Sequence, residues 1–303
     1  MIPDRFAGLD EFALLHEDAA EFGIPWAGQP AVIRETAQKS DGAVSFLRWG
    51  TGRPNLVLLH GGALNAHTWN TTALVVGQPL LAIDLPGHGE SSWRSDGKYD
   101  PVTLATAIAP VIHDHATPPV TLVGQSLGGL AGIAVAAAHP ELVGRLVLVD
   151  VLPAIGNSEQ VRSFLAGPQA FSSREEIVRR AREYGLGHSD EAVARGVWHN
   201  TRVRDDGTVV WKHHLGNFAA GERPPLDAAS FATLWPALEE FGGPVLLVRG
   251  EQGFLSDDNV AELRRRVPGA TVVTAPTGHN VQEQDPVLLA ATIAELRGSS
   301  EDG

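Results

Sequence analysis

Residues 120–134 read Val120-Thr121-Leu122-Val123-Gly124-Gln125-Ser126-Leu127-Gly128-Gly129-Leu130-Ala131-Gly132-Ile133-Ala134. The opening residues are apolar or β-branched, as a strand covered on both faces requires, and the stretch after Ser126 is the Ala- and Leu-rich start of a helix. Between them, Gly124-Gln125-Ser126-Leu127-Gly128 fits G-x-S-x-G, the sharp strand-to-helix turn that exposes a serine hydroxyl above a sheet edge. Glycines two residues either side remove the Cβ atoms that would hold strand and helix apart. The helix start also favours negative charge developing beside the serine. Ser126 is the candidate nucleophile; a serine that merely caps a buried helix is the competing explanation.

Working outward, strand-like runs recur at 31–36, 44–49, 56–59, 80–83, 120–123, 146–149, 245–248 and 271–274. Helical stretches fall at 103–113, 126–138, 257–266 and 286–296, with cap signals Asp100-Pro101 and Ser256-Asp257-Asp258. Alternation of buried strands with helices predicts a doubly wound, mostly parallel sheet of eight strands. From 153 to 241 the pattern changes to amphipathic helices near 174–184 and 190–200 and an Asp206-Gly207 turn before Val209-Val210-Trp211. The expected organisation is therefore an extension at 1–29, a core of 30–152 and 242–303, and a mainly helical cap, or lid, at 153–241 inserted after the sixth strand.

Composition limits the function classes. A 43% hydrophobic content gives enough apolar material for a large core. A formal charge of −13, with no Lys/Arg-rich run, argues against nucleic acid and anionic membranes as partners. The absence of cysteine excludes disulfides, thiolate nucleophiles and Cys-based metal centres. His113 and His115 lack a third ligand, and His213 and His214, read as strand neighbours, would point apart, so neither a metal nor another cofactor is expected. Met1-Ile2-Pro3-Asp4-Arg5-Phe6 has no basic stretch leading into an apolar core, and no apolar run approaches the roughly 18 residues of a membrane span; cytoplasmic residence is the expectation.

Leu56-Val57-Leu58-Leu59 runs into His60-Gly61-Gly62-Ala63, where backbone amides can face a carbonyl oxygen. Leu127 N–H and Gly62 N–H are the candidate oxyanion donors, with Ala63 the alternative to Gly62 if the loop register differs. His60 reads as structural. The turn Leu85-Pro86-Gly87-His88-Gly89-Glu90-Ser91 also reads as structural, with Asp84 and Ser91 bonding its backbone. Among twelve histidines, His279, in Thr277-Gly278-His279-Asn280 after a late strand and ahead of the final helix, sits where the order serine, acid, histidine places the base.

The acid has several candidates. The segment after the seventh strand, Arg249-Gly250-Glu251-Gln252-Gly253-Phe254, carries glycine and phenylalanine where an aspartate would serve. Glu251 falls early, and Asp257 and Asp258 are first-turn residues of the next helix. Asp150 ends the sixth strand, at the carboxyl edge beside Ser126, where a carboxylate can orient an imidazole. A turn-forming aspartate before Pro153 is its alternative role.

Together, His60-Gly61-Gly62, Asp84-Leu85-Pro86-Gly87-His88-Gly89-Glu90-Ser91, the Ser126 elbow and Gly278-His279 resemble the α/β-hydrolase superfamily from about residue 30 onward. Within it the chain resembles small serine esterases whose triad acid follows strand six, and more loosely the lactone-cleaving and carbon–carbon-cleaving members. The resemblance implies an α/β-hydrolase fold and hydrolysis of an ester of a small molecule through an acyl-enzyme. Serine rather than aspartate at position 126 separates the chain from dehalogenases and epoxide hydrolases. Trp198, His199, Trp211 and Phe254 are candidate pocket residues under the cap, or, for the tryptophans, packing. Carbon–carbon hydrolysis, histidine-driven chemistry without a cofactor, and a ligand receptor with vestigial turnover remain alternatives.

Overall fold

The apolar runs pair into the expected sheet in a computed structural model that describes residues 5–39, 42–154, 168–183, 187, 189–216 and 231–298. The end of the helix expected at 174–184, and parts of the expected extension and inserted segment, lie outside the described residues. The strands are β1 (Val32–Lys39), β2 (Gly42–Trp49), β3 (Leu56–Leu59), β4 (Leu80–Ile83), β5 (Val120–Gln125), β6 (Val143–Val149), β7 (Ala170–Phe171), β8 (Thr201–Val203), β9 (Val209–Trp211), β10 (Val245–Gly250) and β11 (Thr271–Ala275). Eight form one sheet in the order β1-β2-β4-β3-β5-β6-β10-β11. Strand β2 runs antiparallel to both β1 and β4, and the remaining pairs are parallel.

Helices cover both faces, and side-chain alternation along the central strands assigns each residue to a face. Val57 and Leu59 of β3 join the cluster containing Leu104 and Ile108 of α3 (Pro101–His115) and Leu130 and Ala131 of α4 (Leu127–Ala138). Their neighbours Leu56 and Leu58 join Leu15 of α1 (Leu15–Glu21), Ala73 of α2 (Asn70–Val76) and Leu289 and Ile293 near the C-terminus. This is why the central runs are continuously apolar: each successive residue has a hydrophobic layer to enter. Every fully buried Leu or Ile in these layers contributes about 1.5–3 kcal/mol.

Between β6 and β10, which pair directly, the chain leaves the sheet and builds a second small core. Strands β7, β9 and β8 form an antiparallel sheet. Helices α5 (Arg174–Glu183) and α6 (Asp190–Asn200) pack on it through Ile177, Val193, Val197 and Trp211. The sequence showed β9 but not its two short partners. Helix α7 (Trp235–Glu239) returns the chain to the main core, and α8 (Asp257–Arg266), α9 (Val281–Gln284) and α10 (Pro286–Gly298) follow. Ser256 and Asn259 close a reciprocal capping box at the start of α8. Among the described residues no helix is long and apolar enough to cross a membrane.

Helix α1 escaped the sequence reading, because only Leu15 and Ala19 of its seven residues are buried. It packs on α2 and holds Arg195 of α6 through Asp18 at 2.7 Å, Glu21, and Glu17 at 3.5 Å, tying the segment inserted after β6 to the opposite end of the chain.

Candidate active site

Strand β5 stops at Gln125 and α4 starts at Leu127, leaving Ser126 in the turn at φ 51° and ψ −120°. Glycines permit the turn: a Cβ at Gly124 would lie 2.5 Å from the Gly129 backbone, and one at Gly128 would overlap the Leu59 carbonyl. Ser126 is one of three non-glycine residues with positive φ among the described residues; the others are Ala63 at 67° and Asp150 at 47°. Each such residue costs on the order of 1–3 kcal/mol, and all three follow the carboxyl ends of adjacent strands β3, β5 and β6. Strain is thus concentrated at one edge of the sheet.

The loop after β3 is held from below by His60. Its Nδ1 donates to the Gly61 carbonyl at 2.7 Å, and its Nε2 accepts from Leu85 N–H at 2.9 Å, so the ring is spent on structure. Complete burial pushes this imidazole below its ordinary pKa, keeping it neutral. Above it, Gly62 and Leu127 come together, since a Cβ at Gly62 would sit 3.9 Å from Leu127 Cδ2. Neither amide donates a hydrogen bond among the described residues. Two such backbone donors at a helix start are what a developing oxyanion requires.

Asp84 and Ser91 bond the backbone of their turn, as expected, and Asp84 also braces the loop after β3. Asp84 accepts from Ala66 N–H at 2.7 Å and Glu90 N–H at 3.0 Å and pairs with Arg34 at 2.6 Å, while Ser91 Oγ donates to the Asp84 carbonyl at 2.6 Å. Arg34, with the Ala66 and Glu90 amides, keeps the Asp84 carboxyl below the usual range despite the burial that opposes it.

Asp150 leaves β6 with its side chain fully buried and accepts three N–H groups. Gly250 N–H reaches Oδ1 at 3.1 Å; Phe254 N–H and His279 Nδ1 reach Oδ2 at 2.7 and 2.8 Å. With Nδ1–H given to the carboxylate, Nε2 of His279 is left as the acceptor. The Phe254 ring lies on the His279 ring, with centroids 3.6 Å apart and an interplanar angle of 13°. Gln125, the residue before Ser126, donates through its side chain to the His279 carbonyl at 3.4 Å. The structure therefore joins His279 to Asp150 and seats the histidine against the elbow; among the described residues no hydrogen bond joins Ser126 Oγ to His279.

The other acid candidates lie elsewhere. Glu251 is exposed, and Asp257 pairs with Arg249 at 2.5 Å, while Asp258 lies in the first turn of α8. Of the four pocket candidates, Phe254 is the one in contact with His279. Trp198 is stacked on Phe6 at 5.2 Å, Trp211 meets Phe171 edge-on, and His199 stacks on His67 at 3.8 Å. His213 and His214 are not strand neighbours: β9 ends at Trp211, and His214 opens the short turn of helix His214–Gly216. Tyr99 Oη, which accepts from Arg94 N–H, donates to His214 Nδ1 at 2.7 Å. Among the described residues no three His, Asp or Glu side chains are grouped so as to hold a metal ion.

Sequence reasoning missed the cradle around Asp150. The Gly250 and Phe254 amides bond a carboxylate far away in sequence, Gly253 leaves room for it, and the available signal was the Gly253-Phe254 pair standing where an aspartate was sought.

Comparison with known proteins places these features in a wider group. Residues 54–286 match the family model described as alpha/beta hydrolase fold. The chain is 38% identical over 299 residues to esterase Rv0045c of Mycobacterium tuberculosis, covering 94% of this chain and 95% of that protein. It is 33% identical over 266 residues to lipase LipV of the same organism, covering 83% of this chain and 96% of that one. The crystal structure of esterase Rv0045c superposes with a TM-score of 0.80 at 37% identity, covering 96% of this chain and 99% of that one.

Proposed function

The chain belongs to the α/β-hydrolase family, and on that premise we propose that it is a serine hydrolase that cleaves a carboxylic ester or lactone of a small organic molecule through an acyl-enzyme. The observation that carries this proposal is the fully buried Asp150 bonded to His279 Nδ1, at the same sheet edge as the strained Ser126 elbow. Similarity to an esterase and a lipase supports an ester as the bond attacked.

In the proposed reaction His279 Nε2 takes the proton of Ser126 Oγ as the oxygen attacks the substrate carbonyl. Asp150 keeps the imidazole in the required tautomer and stabilises the imidazolium. The oxyanion is held by the Gly62 and Leu127 amides. His279 then returns its proton to the leaving alcohol, and a water activated by the same histidine releases the acid. The inserted segment is proposed to serve as a cap over this edge; among its described residues Leu215 comes within 3.5 Å of where a Cβ at Gly62 would stand.

Trapping the acyl-enzyme is the test. Mixed with a slowly deacylating p-nitrophenyl ester, the protein should gain one acyl mass on the peptide carrying Ser126, and Ser126→Ala should gain none. Turnover by Ser126→Ala at the wild-type rate would instead indicate chemistry driven by His279 alone.

A further inference from the structure

His279 is constrained in three ways, and only two of them are hydrogen bonds. Its Nδ1 is fixed by Asp150, its backbone carbonyl by Gln125, and one face of its ring by Phe254. Phe254 is tied to the same pair by its backbone as well, because its amide donates to the Asp150 oxygen that His279 uses. Gly253 makes this approach possible, since any Cβ there would overlap the carboxylate.

The near-parallel overlap is informative. Aromatic pairs prefer offset or edge-to-face arrangements over a full sandwich, because their negative faces repel, whereas a cation over an aromatic face is attracted. At a ring centroid separation of 3.6 Å the π face of Phe254 is in place to attract a cation formed on the His279 ring. The imidazolium is the form that exists while Ser126 is attacking, so the contact strengthens as the reaction proceeds, which is the condition for it to lower the barrier.

We propose that Phe254 is a positioning residue whose ring fixes the plane in which His279 meets Asp150 and offers its π face to the imidazolium formed during acyl transfer. This rests on the proposed serine mechanism and gives Phe254 a role different from that of a pocket wall. Other ionisable groups near the site are engaged or turned to solvent: Glu283 of α9 bonds Thr68 and Asn280, Arg249 pairs with Asp257, and Glu251 is exposed.

The test compares wild type, Phe254→Leu and Phe254→Tyr by kcat and KM on a p-nitrophenyl ester, and by the NMR resonance of the His279 Nδ1 proton in a Ser126→Ala background. Leucine keeps the bulk and the backbone amide but removes the aromatic face; Phe254→Met serves equally if the leucine variant does not fold. The expected result is a kcat roughly tenfold lower with KM within about twofold and a broadened Nδ1 resonance, with both restored by tyrosine. A raised KM with unchanged kcat and an unchanged resonance would overturn the proposal and leave Phe254 a pocket wall. If Ser126→Ala retains full turnover, the serine mechanism fails, and the Nδ1 resonance, read without turnover, still decides whether Phe254 holds the ring.

Discussion

Gly253 lies so close to Asp150 that no side chain fits between them: an ideal Cβ on Gly253 would stand 2.5 Å from Asp150 Cγ. The turn after β10 thus offers His279 no acid, its Glu251 being exposed, but wraps the acid delivered by β6, through the amides of Gly250 and Phe254. Gly253→Ala must push the carboxylate away from His279 or unmake the turn. Displacement of an orienting group by about 1 Å costs on the order of 100-fold. The variant is expected to fold, by circular dichroism, with kcat lowered by about that factor; a kcat within about twofold of wild type would show that the cradle tolerates a methyl group.

Arg195 answers three carboxylates, Glu17, Asp18 and Glu21, from a buried position on α6. Removing one member of a buried ion pair leaves its partners uncompensated, at a cost of about 3–5 kcal/mol. Arg195→Met should lower the unfolding free energy by that order in urea titrations and make residues 5–29 cleavable by added protease. A loss under about 1 kcal/mol would mean that the network contributes little to anchoring α1.

Buried histidines set the response to acid. Burial pushes His60, His88 and His199 below their ordinary pKa in the folded protein, while the unfolded chain takes up each proton near pH 6.5. Below that pH the unfolded state binds more protons. Their stabilising contribution is therefore complete above about pH 6.5 and is lost as pH falls, by up to about 1.4 kcal/mol per pH unit for each histidine. Glu11, held at about 2 by His67 and Arg34 against its burial, acts in the same direction but only below its own ordinary range near 4.5. Urea unfolding between pH 7.5 and 5.5 should thus show a shallower slope in His199→Gln than in wild type. Equal slopes would mean that His199 is protonated in the folded state.

The α/β architecture was legible because the central strands are buried on both faces and carry unbroken apolar runs, and because Gly124 and Gly128 mark a place where strand and helix backbones nearly touch. Asp150 was legible as a strand-ending carboxylate opposite a turn with no aspartate. What surrounds it was not, since amide donation to a remote carboxylate leaves no periodic trace. Trp198, read from its place in the inserted segment as pocket lining or packing, stacks on Phe6, a partner that only the folded chain brings near. Short elements such as α1 and β7 bury too few residues to impose a period.

The proposed catalysis turns on Ser126 acting through a His279 held by Asp150, and the most direct measurement is the rate of p-nitrophenyl ester hydrolysis by wild type, Ser126→Ala, Asp150→Asn and Glu251→Gln. Loss of at least about 1,000-fold in kcat for the first two variants, with Glu251→Gln within about twofold of wild type, is the predicted result. Near-normal turnover by Asp150→Asn, collapse in Glu251→Gln, or a wild-type protein inert on every ester would contradict it.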